Sequence, residues 1–232
     1  MLQVLLLDLD DTLYARACGL WPAIGQRITA YMIERMGMPA AEARARRQVY
    51  LETYGTTLNG LRHEHGIDPL DYLAFVHDLP LERYLEPSPA LQQMLARLPQ
   101  RKVIFTNADA PHAERVIARL GVSQYFERII DVHALNFINK PDPRAYQQAL
   151  QLVGAAPEEC LFADDAVRNL QPAHALGLTA VLVSPEGSAL PDGVDYQIDS
   201  ILELEPLIAR LESGANHPAS VGAPAADGQA QP

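Results

Sequence analysis

The sequence predicts an α/β protein, a doubly wound parallel sheet with a helical domain inserted after its first strand. Short continuous apolar runs recur along the chain, as expected of strands buried on both faces. Helical patterns separate them, and strands alternating with helices of this length imply a parallel sheet with helices on both sides. Between the first two runs lie some seventy residues with helical patterns and no convincing strand, too many for an ordinary crossover.

In chain order, Gln3–Leu9 is the first strand. The insert, residues 15–84, carries helical patterns at Trp21–Met36, Ala40–Tyr54, Thr57–His65 and Pro69–Val76. The core resumes at residue 85. Its strands are expected at Lys102–Thr106, Arg128–Val132, Cys160–Ala163 and Thr179–Val183, and its helices at Pro111–Leu120, Pro143–Val153, Val167–Leu176 and Ser200–Leu211. Pro111 and Pro143 suit first-turn positions, and Gly121, Gly154 and Gly177 suit helix ends. Residues 1–14 and 85–212 thus form the expected core and 15–84 a cap. Residues 213–232 have Val221 as their only large aliphatic side chain. They bury too little apolar surface to offset their ordering entropy, and a disordered tail is expected.

The 232 residues hold 18 Lys plus Arg against 29 Asp plus Glu, a net charge of −11. Such a chain is a poor partner for nucleic acid, whose recognition needs clustered cations. No segment reaches the roughly 18–20 apolar residues that span a bilayer, so no membrane partner is expected. The apolar N-terminus lacks a basic flank and ends in three aspartates, unlike a signal peptide. Two distant cysteines, Cys18 and Cys160, favour a reducing, cytoplasmic setting over a disulfide scaffold.

Four motifs carry the chemistry. The first strand runs into Asp8, Leu9, Asp10, Asp11 and Thr12. Carboxylates crowded at a buried strand end repel one another unless a cation or proton settles them, and in open α/β sheets ligands bind just beyond the carboxyl ends of the strands. The next strand ends in Thr106 and Asn107, Lys140 stands before Pro141 and a helix, and a later strand delivers Asp164 and Asp165, with Asn169 one turn on. Elsewhere the expectations are plain. Trp21 packs within the cap, Cys160 within the core, and His77 lies at a helix end. His63 and His65 have no third metal ligand nearby.

In order and spacing the four motifs resemble those of the haloacid dehalogenase-like superfamily of phosphohydrolases, over residues 1 to about 212. The resemblance implies a Rossmann-like core with a C1-type helical cap. Asp8 and Asp10 look like its first motif, Thr106 its second, Lys140 its third, and Asp164 with Asp165 its fourth. Within that superfamily Tyr54–Leu61, Asp71–Leu85 and Arg101–Asp109 resemble the pyrimidine 5′-nucleotidase branch. Ala15 and Asn139 stand where that branch often has proline.

The resemblance and the chemistry of the groups lead to one expected mechanism. Mg²⁺, a hard oxygen-seeking cation, is held by the Asp8 side chain, the Asp10 backbone carbonyl (a role the resemblance implies) and Asp165, with Asp164 a direct ligand or one step behind. Asp8 attacks phosphorus, and Asp10 serves as acid and then base, its carboxylate neighbours favouring a protonated fraction. Thr106, Asn107 and Lys140 bind the phosphoryl oxygens. Asn169 orients the Asp165 loop. The expected substrate is a small phosphomonoester, most specifically a pyrimidine nucleoside 5′-monophosphate. A phosphatase or phosphomutase for phosphoglycolate or a sugar phosphate, and a non-catalytic phosphate-binding module, stay open, as does the oligomeric state. Dehalogenase chemistry is disfavoured, because it needs neither the second aspartate nor a metal.

Overall fold

The computed structural model describes residues 1–185 and 190–213. Six strands form one parallel sheet: β1 (Val4–Leu7), β2 (Arg101–Phe105), β3 (Arg128–Ile130), β4 (Cys160–Asp164), β5 (Thr179–Val183) and β6 (Tyr196–Ile198), in the order β3-β2-β1-β4-β5-β6. The doubly wound α/β prediction holds. β1 is wholly buried, β4 likewise, and each pairs in parallel register, Leu7 opposite Ile104 on one side and Ala163 on the other. The order reverses beside β1, so the crevice between the carboxyl ends of β1 and β4 is where such sheets bind ligands.

The helices of the first connection are α1 (Leu20–Glu34), α2 (Ala40–Tyr54), α3 (Thr57–His65) and α4 (Pro69–His77). Local chemistry starts the last two. Thr56 accepts from Asn59 N, and Asp68 accepts from Leu70 N with Pro69 in the first turn, both satisfying orphan helix donors. Tyr31, Met32, Tyr50, Leu61, Tyr72, Leu73 and Val76 build a separate apolar cluster for these helices, which Val132 of the core joins. Trp21, expected inside it, is instead 43% exposed. It stands in the first turn of α1, where the helix has turned Leu20, Ala23 and Ile24 inward.

The remaining helices are α5 (Pro89–Arg97), α6 (Ala110–Leu120), α7 (Pro143–Val153), α8 (Val167–Ala175) and α9 (Leu204–Glu212). α5 and β6 are elements the sequence patterns did not announce. Two clusters cover the sheet. One gathers Leu5, Leu7, Ile104, Leu161 and Val181 with α5, α6 and α9, and the other gathers Val4, Leu6, Phe105 and Phe162 with α7 and α8. Alternate residues of each strand therefore feed opposite faces. Gly121 and Gly154 end α6 and α7 in the left-handed region, while α8 ends at Ala175, two residues before Gly177. The expected tail falls, apart from Ser213, outside the described residues. No described helix is long and apolar enough to cross a membrane.

Candidate active site

Asp8 follows β1 directly and extends its ladder, its N–H donating to Ala163 O. Its carboxylate accepts from Lys140 Nζ at 2.7 Å and, more distantly, from the Thr12 hydroxyl at 3.3 Å. The same ammonium donates to Asp164 Oδ2 at 2.8 Å and to Phe105 O at 2.9 Å. All three of its protons are thereby used, between the Phe105 and Phe162 rings at 5.1 and 5.0 Å. Lys140 is 1% exposed. Burial pushes its pKa down, but Asp164 and Asp8 outweigh burial and hold it above the ordinary value. Asp164 is further fixed by Asn169 Nδ2 at 2.9 Å and by Ala166 N at 2.9 Å. Asn169 thus holds Asp164 rather than the Asp165 loop.

Asp8, Asp164 and Asp165 each bring a carboxylate oxygen to within 4.8 Å of the other two. Burial pushes the Asp8 pKa well above the carboxylate range; Lys140 opposes this, and Asp164 and Asp165 add to it. Asp165 is pushed up to about 6 by burial and then by Asp164 and Asp11. A set of hard oxygen donors that resist holding their charge unaided suits a hard divalent cation, whose arrival would relieve both burial and repulsion.

Thr106 ends the β2 ladder, its N–H bonded to Ile130 O, and its hydroxyl oxygen accepts from Ala108 N at 3.0 Å, leaving the hydroxyl proton to give. Asn107, expected as a phosphate donor, already spends one of its two side-chain N–H groups within the protein. Its side chain donates to Lys140 O and accepts from Lys140 N, both at 2.9 Å, so it clamps the backbone that carries the buried ammonium.

The Asp10 carboxylate is not one of those three and faces other partners. The Tyr14 hydroxyl donates to its Oδ1 at 2.5 Å, and His112 Nε2 meets the same oxygen at 3.0 Å. Burial raises its pKa, but His112, Tyr14 and His77 outweigh burial and leave it below the ordinary value. The expectation that carboxylate neighbours favour its protonated form is therefore reversed, because imidazole and phenol face this side chain. Tyr14, His77 and His112 carried no assigned role in the sequence. The signal available was a tyrosine four residues after Asp10 and a histidine in the first turn after the Thr106 strand.

Tyr54–Leu61 meets the Lys140 loop. Asn59 donates to Phe137 O at 3.0 Å and to the Asn139 side chain, and the Arg62 guanidinium lies 3.9 Å from the Phe137 ring centre. Asn139 in turn donates to Lys140 O at 2.8 Å. A Cβ at Gly55 would come within 2.6 Å of the Asn139 amide nitrogen. This stretch docks the insert onto the loop that holds Lys140.

The haloacid dehalogenase-like hydrolase family profile matches residues 2–177. The chain belongs to that family. It is 30% identical over 213 residues to "Phosphate metabolism protein 8" of Saccharomyces cerevisiae, covering 85% of this chain but 64% of the yeast protein's length. It is 27% identical to a "Phosphoglycolate phosphatase" of Pectobacterium atrosepticum, over 91% of this chain and 94% of that protein. Among solved structures, a haloacid dehalogenase-like phosphatase from Thermococcus onnurineus superposes with a TM-score of 0.61 at 23% identity, covering 90% of this chain and 98% of that one. At that identity the likeness speaks for the fold.

Proposed function

We propose that this protein is a Mg²⁺-dependent phosphomonoesterase that works through an aspartyl-phosphate on Asp8, with pyrimidine nucleoside 5′-monophosphates as substrates. The observation that carries the phosphatase reading is the Asp8–Asp164–Asp165 oxygen cluster beside a fully engaged Lys140. A metal-free dehalogenation has no use for the last two carboxylates. The two relatives named above, a phosphate metabolism protein and a phosphoglycolate phosphatase, support phosphate chemistry.

Phosphate monoesters hydrolyse so slowly unaided that enzymes accelerate them by up to about 10²¹-fold. The substrate is also a dianion, which a site of carboxylates repels. Asp8 and Asp165 by their side chains and Asp10 by its backbone carbonyl, with Asp164 beside Lys140 directly or one step behind, would hold Mg²⁺, which when bound neutralises phosphoryl oxygens as charge shifts in the transition state. An Asp8 oxygen attacks phosphorus, the bond to the leaving oxygen breaks, and that oxygen takes a proton from Asp10. Water then attacks the aspartyl-phosphate, Asp10 takes the water's proton, and Asp8 is released as carboxylate beside free phosphate. Held below the ordinary carboxylate value by His112, Tyr14 and His77, Asp10 is ionised and so available as the base of this second half. For the first half, an arriving phosphate dianion raises it by like-charge repulsion. The Thr106 hydroxyl holds a phosphoryl oxygen, and Lys140 offsets the negative charge, turning a proton to a phosphoryl oxygen only by giving up one of its carboxylate bonds. Asn107 supports this indirectly, through Lys140.

The nucleotide assignment rests on the resemblance of Tyr54–Leu61 and Asp71–Leu85 to the nucleotidase branch. A pocket fitted to a single-ring base excludes purines sterically, whereas one fitted to purines would reject the smaller base by only about 1–3 kcal/mol per lost contact. A phosphoglycolate phosphatase is the second reading, favoured by the near full-length relative of that name. The test is kcat/KM, with and without Mg²⁺, for UMP, CMP, AMP, GMP, phosphoglycolate and sugar phosphates. UMP and CMP are expected to lead, and only with the metal. A different ester at the head removes the nucleotidase reading, and no phosphate release from any removes the phosphatase one.

A further inference from the structure

Tyr14, His77 and His112 do none of the chemistry above, yet they converge on the carboxylate that moves its protons. Both the Tyr14 hydroxyl and His112 Nε2 engage Oδ1 of Asp10, at 2.5 and 3.0 Å. No hydrogen bond among the described residues takes Oδ2. A carboxyl torsion is normally broad and close to two-fold. Two donors fixed on one oxygen remove that freedom and point the other oxygen in one direction.

The donors are themselves held. Tyr14 is 8% and His112 1% exposed. The His112 ring stacks on His77 with centroids 4.1 Å apart and planes 18° from parallel. His77 Nδ1 lies 2.7 Å from Asp109 Oδ1, and Arg115 donates to His77 O at 2.9 Å. His77 is the last residue of α4, whereas Asp109, His112 and Arg115 belong to α6 and its N-cap. One line of contacts therefore runs from the inserted helices, through the stacked rings, to Asp10.

We propose that Tyr14 and His112 are positioning residues that grip one oxygen of Asp10 and thereby aim the other at the oxygens leaving and entering phosphorus, and that His77 makes this aim depend on the seating of the inserted helices. The inference deepens the phosphatase reading and rests on it. Displacing a reacting group by about 1 Å can cost on the order of 10²-fold in rate. The cost falls on steps that need Asp10 as acid, and so on esters with poor leaving groups.

The experiment measures kcat/KM, which reports events up to aspartyl-phosphate formation, for 4-nitrophenyl phosphate and for the better of UMP and phosphoglycolate. Nitrophenolate leaves without a proton; the alkyl alcohols do not. Tyr14→Phe removes one oxygen, His112→Phe keeps a flat ring and removes the donor, and His112→Gln restores an amide N–H near the place of Nε2. Tyr14→Phe and His112→Phe are expected to lose roughly tenfold or more on the alkyl ester beyond their loss on the nitrophenyl ester. His112→Gln should recover most of that difference, and His77→Leu should show a smaller loss of the same selectivity. Tyr14→Phe decides the matter should the His112 variants fail to fold. Equal losses on both esters, or none, overturn the proposal, because a purely structural role does not sense the leaving group. A wild-type protein inactive on all three esters removes the phosphatase reading, and this inference with it.

Discussion

Replacing Asp165 by asparagine should stabilise the metal-free protein while abolishing its response to Mg²⁺. Burial, with Asp164 and Asp11 beside it, lifts the Asp165 carboxyl from 3.8 to about 6. Two units correspond to about 3 kcal/mol between the charged and neutral forms. Asp165 is only partly buried, and screening by solvent brings the recoverable figure nearer to about 1–2 kcal/mol. A carboxyl raised in the folded state binds its proton more tightly folded than unfolded. Ionising it therefore costs stability that is lost as pH rises from 3.8 through about 6. The asparagine variant escapes that cost, so its advantage should be full above pH 6 and fade toward pH 4. At roughly 2–4 °C per kcal/mol for a chain of this size, the metal-free variant should melt about 2–8 °C higher near neutral pH. Thermal and urea unfolding in EDTA, repeated with millimolar Mg²⁺, measures both effects. Mg²⁺ should raise the midpoint of the wild type and leave the variant unmoved. A metal-free variant no more stable than wild type, or one still stabilised by Mg²⁺, would refute the reasoning that these carboxylates repel one another and share a cation.

Asp8→Asn should eliminate turnover with the circular dichroism spectrum intact, because an amide cannot attack phosphorus; turnover within tenfold of wild type sinks the nucleophile assignment. Lys140→Met leaves Asp8 and Asp164 facing one another without their shared cation, and should cost about 3–5 kcal/mol in urea unfolding, whereas a loss under about 1 kcal/mol would show that the pair protonates at no cost. Gly60→Ala places a methyl into the Tyr50 ring, and should cost about 1–3 kcal/mol by denaturant unfolding, most of it in the inserted helices; an unchanged midpoint would mean that α2 and α3 are free to part.

The charged centre was legible because sheet topology does the assembling. Asp8, Thr106 and Asp164 each stand where an apolar run stops, and neighbouring parallel strands bring such ends together whatever lies between them in sequence. Lys140 was legible only by its spacing within the motif set, since nothing local marks a lysine before proline as buried. The Asp10 environment was not legible. His112 lies 102 residues from Asp10, and His77 reaches it only through a ring stack, so neither has a periodicity that points to the contact. Asn107 illustrates a different limit. It was expected to donate to the phosphoryl group, but its amide finds the Lys140 backbone, a partner that exists only once the loop has folded. β6 escaped notice because three residues at a sheet edge, two of them half-buried, carry little pattern. α5 was missed although Ser88 and Pro89, which cap and open it, offered a local start signal that went unread.

The outward turn of Trp21 has a spectroscopic consequence. It is the chain's single tryptophan, and its indole stands on the first turn of α1, in the inserted helices rather than on the sheet. Emission excited at the red edge of the tyrosine band therefore observes one place alone. Circular dichroism, by contrast, weighs every helix, and the nine tyrosines are spread more widely. Recorded on the same sample, the three signals form a map of which part of the molecule has let go. If the inserted helices loosen before the sheet does, the indole signal will change at a denaturant concentration where the bulk of the ellipticity is still native, with no label attached.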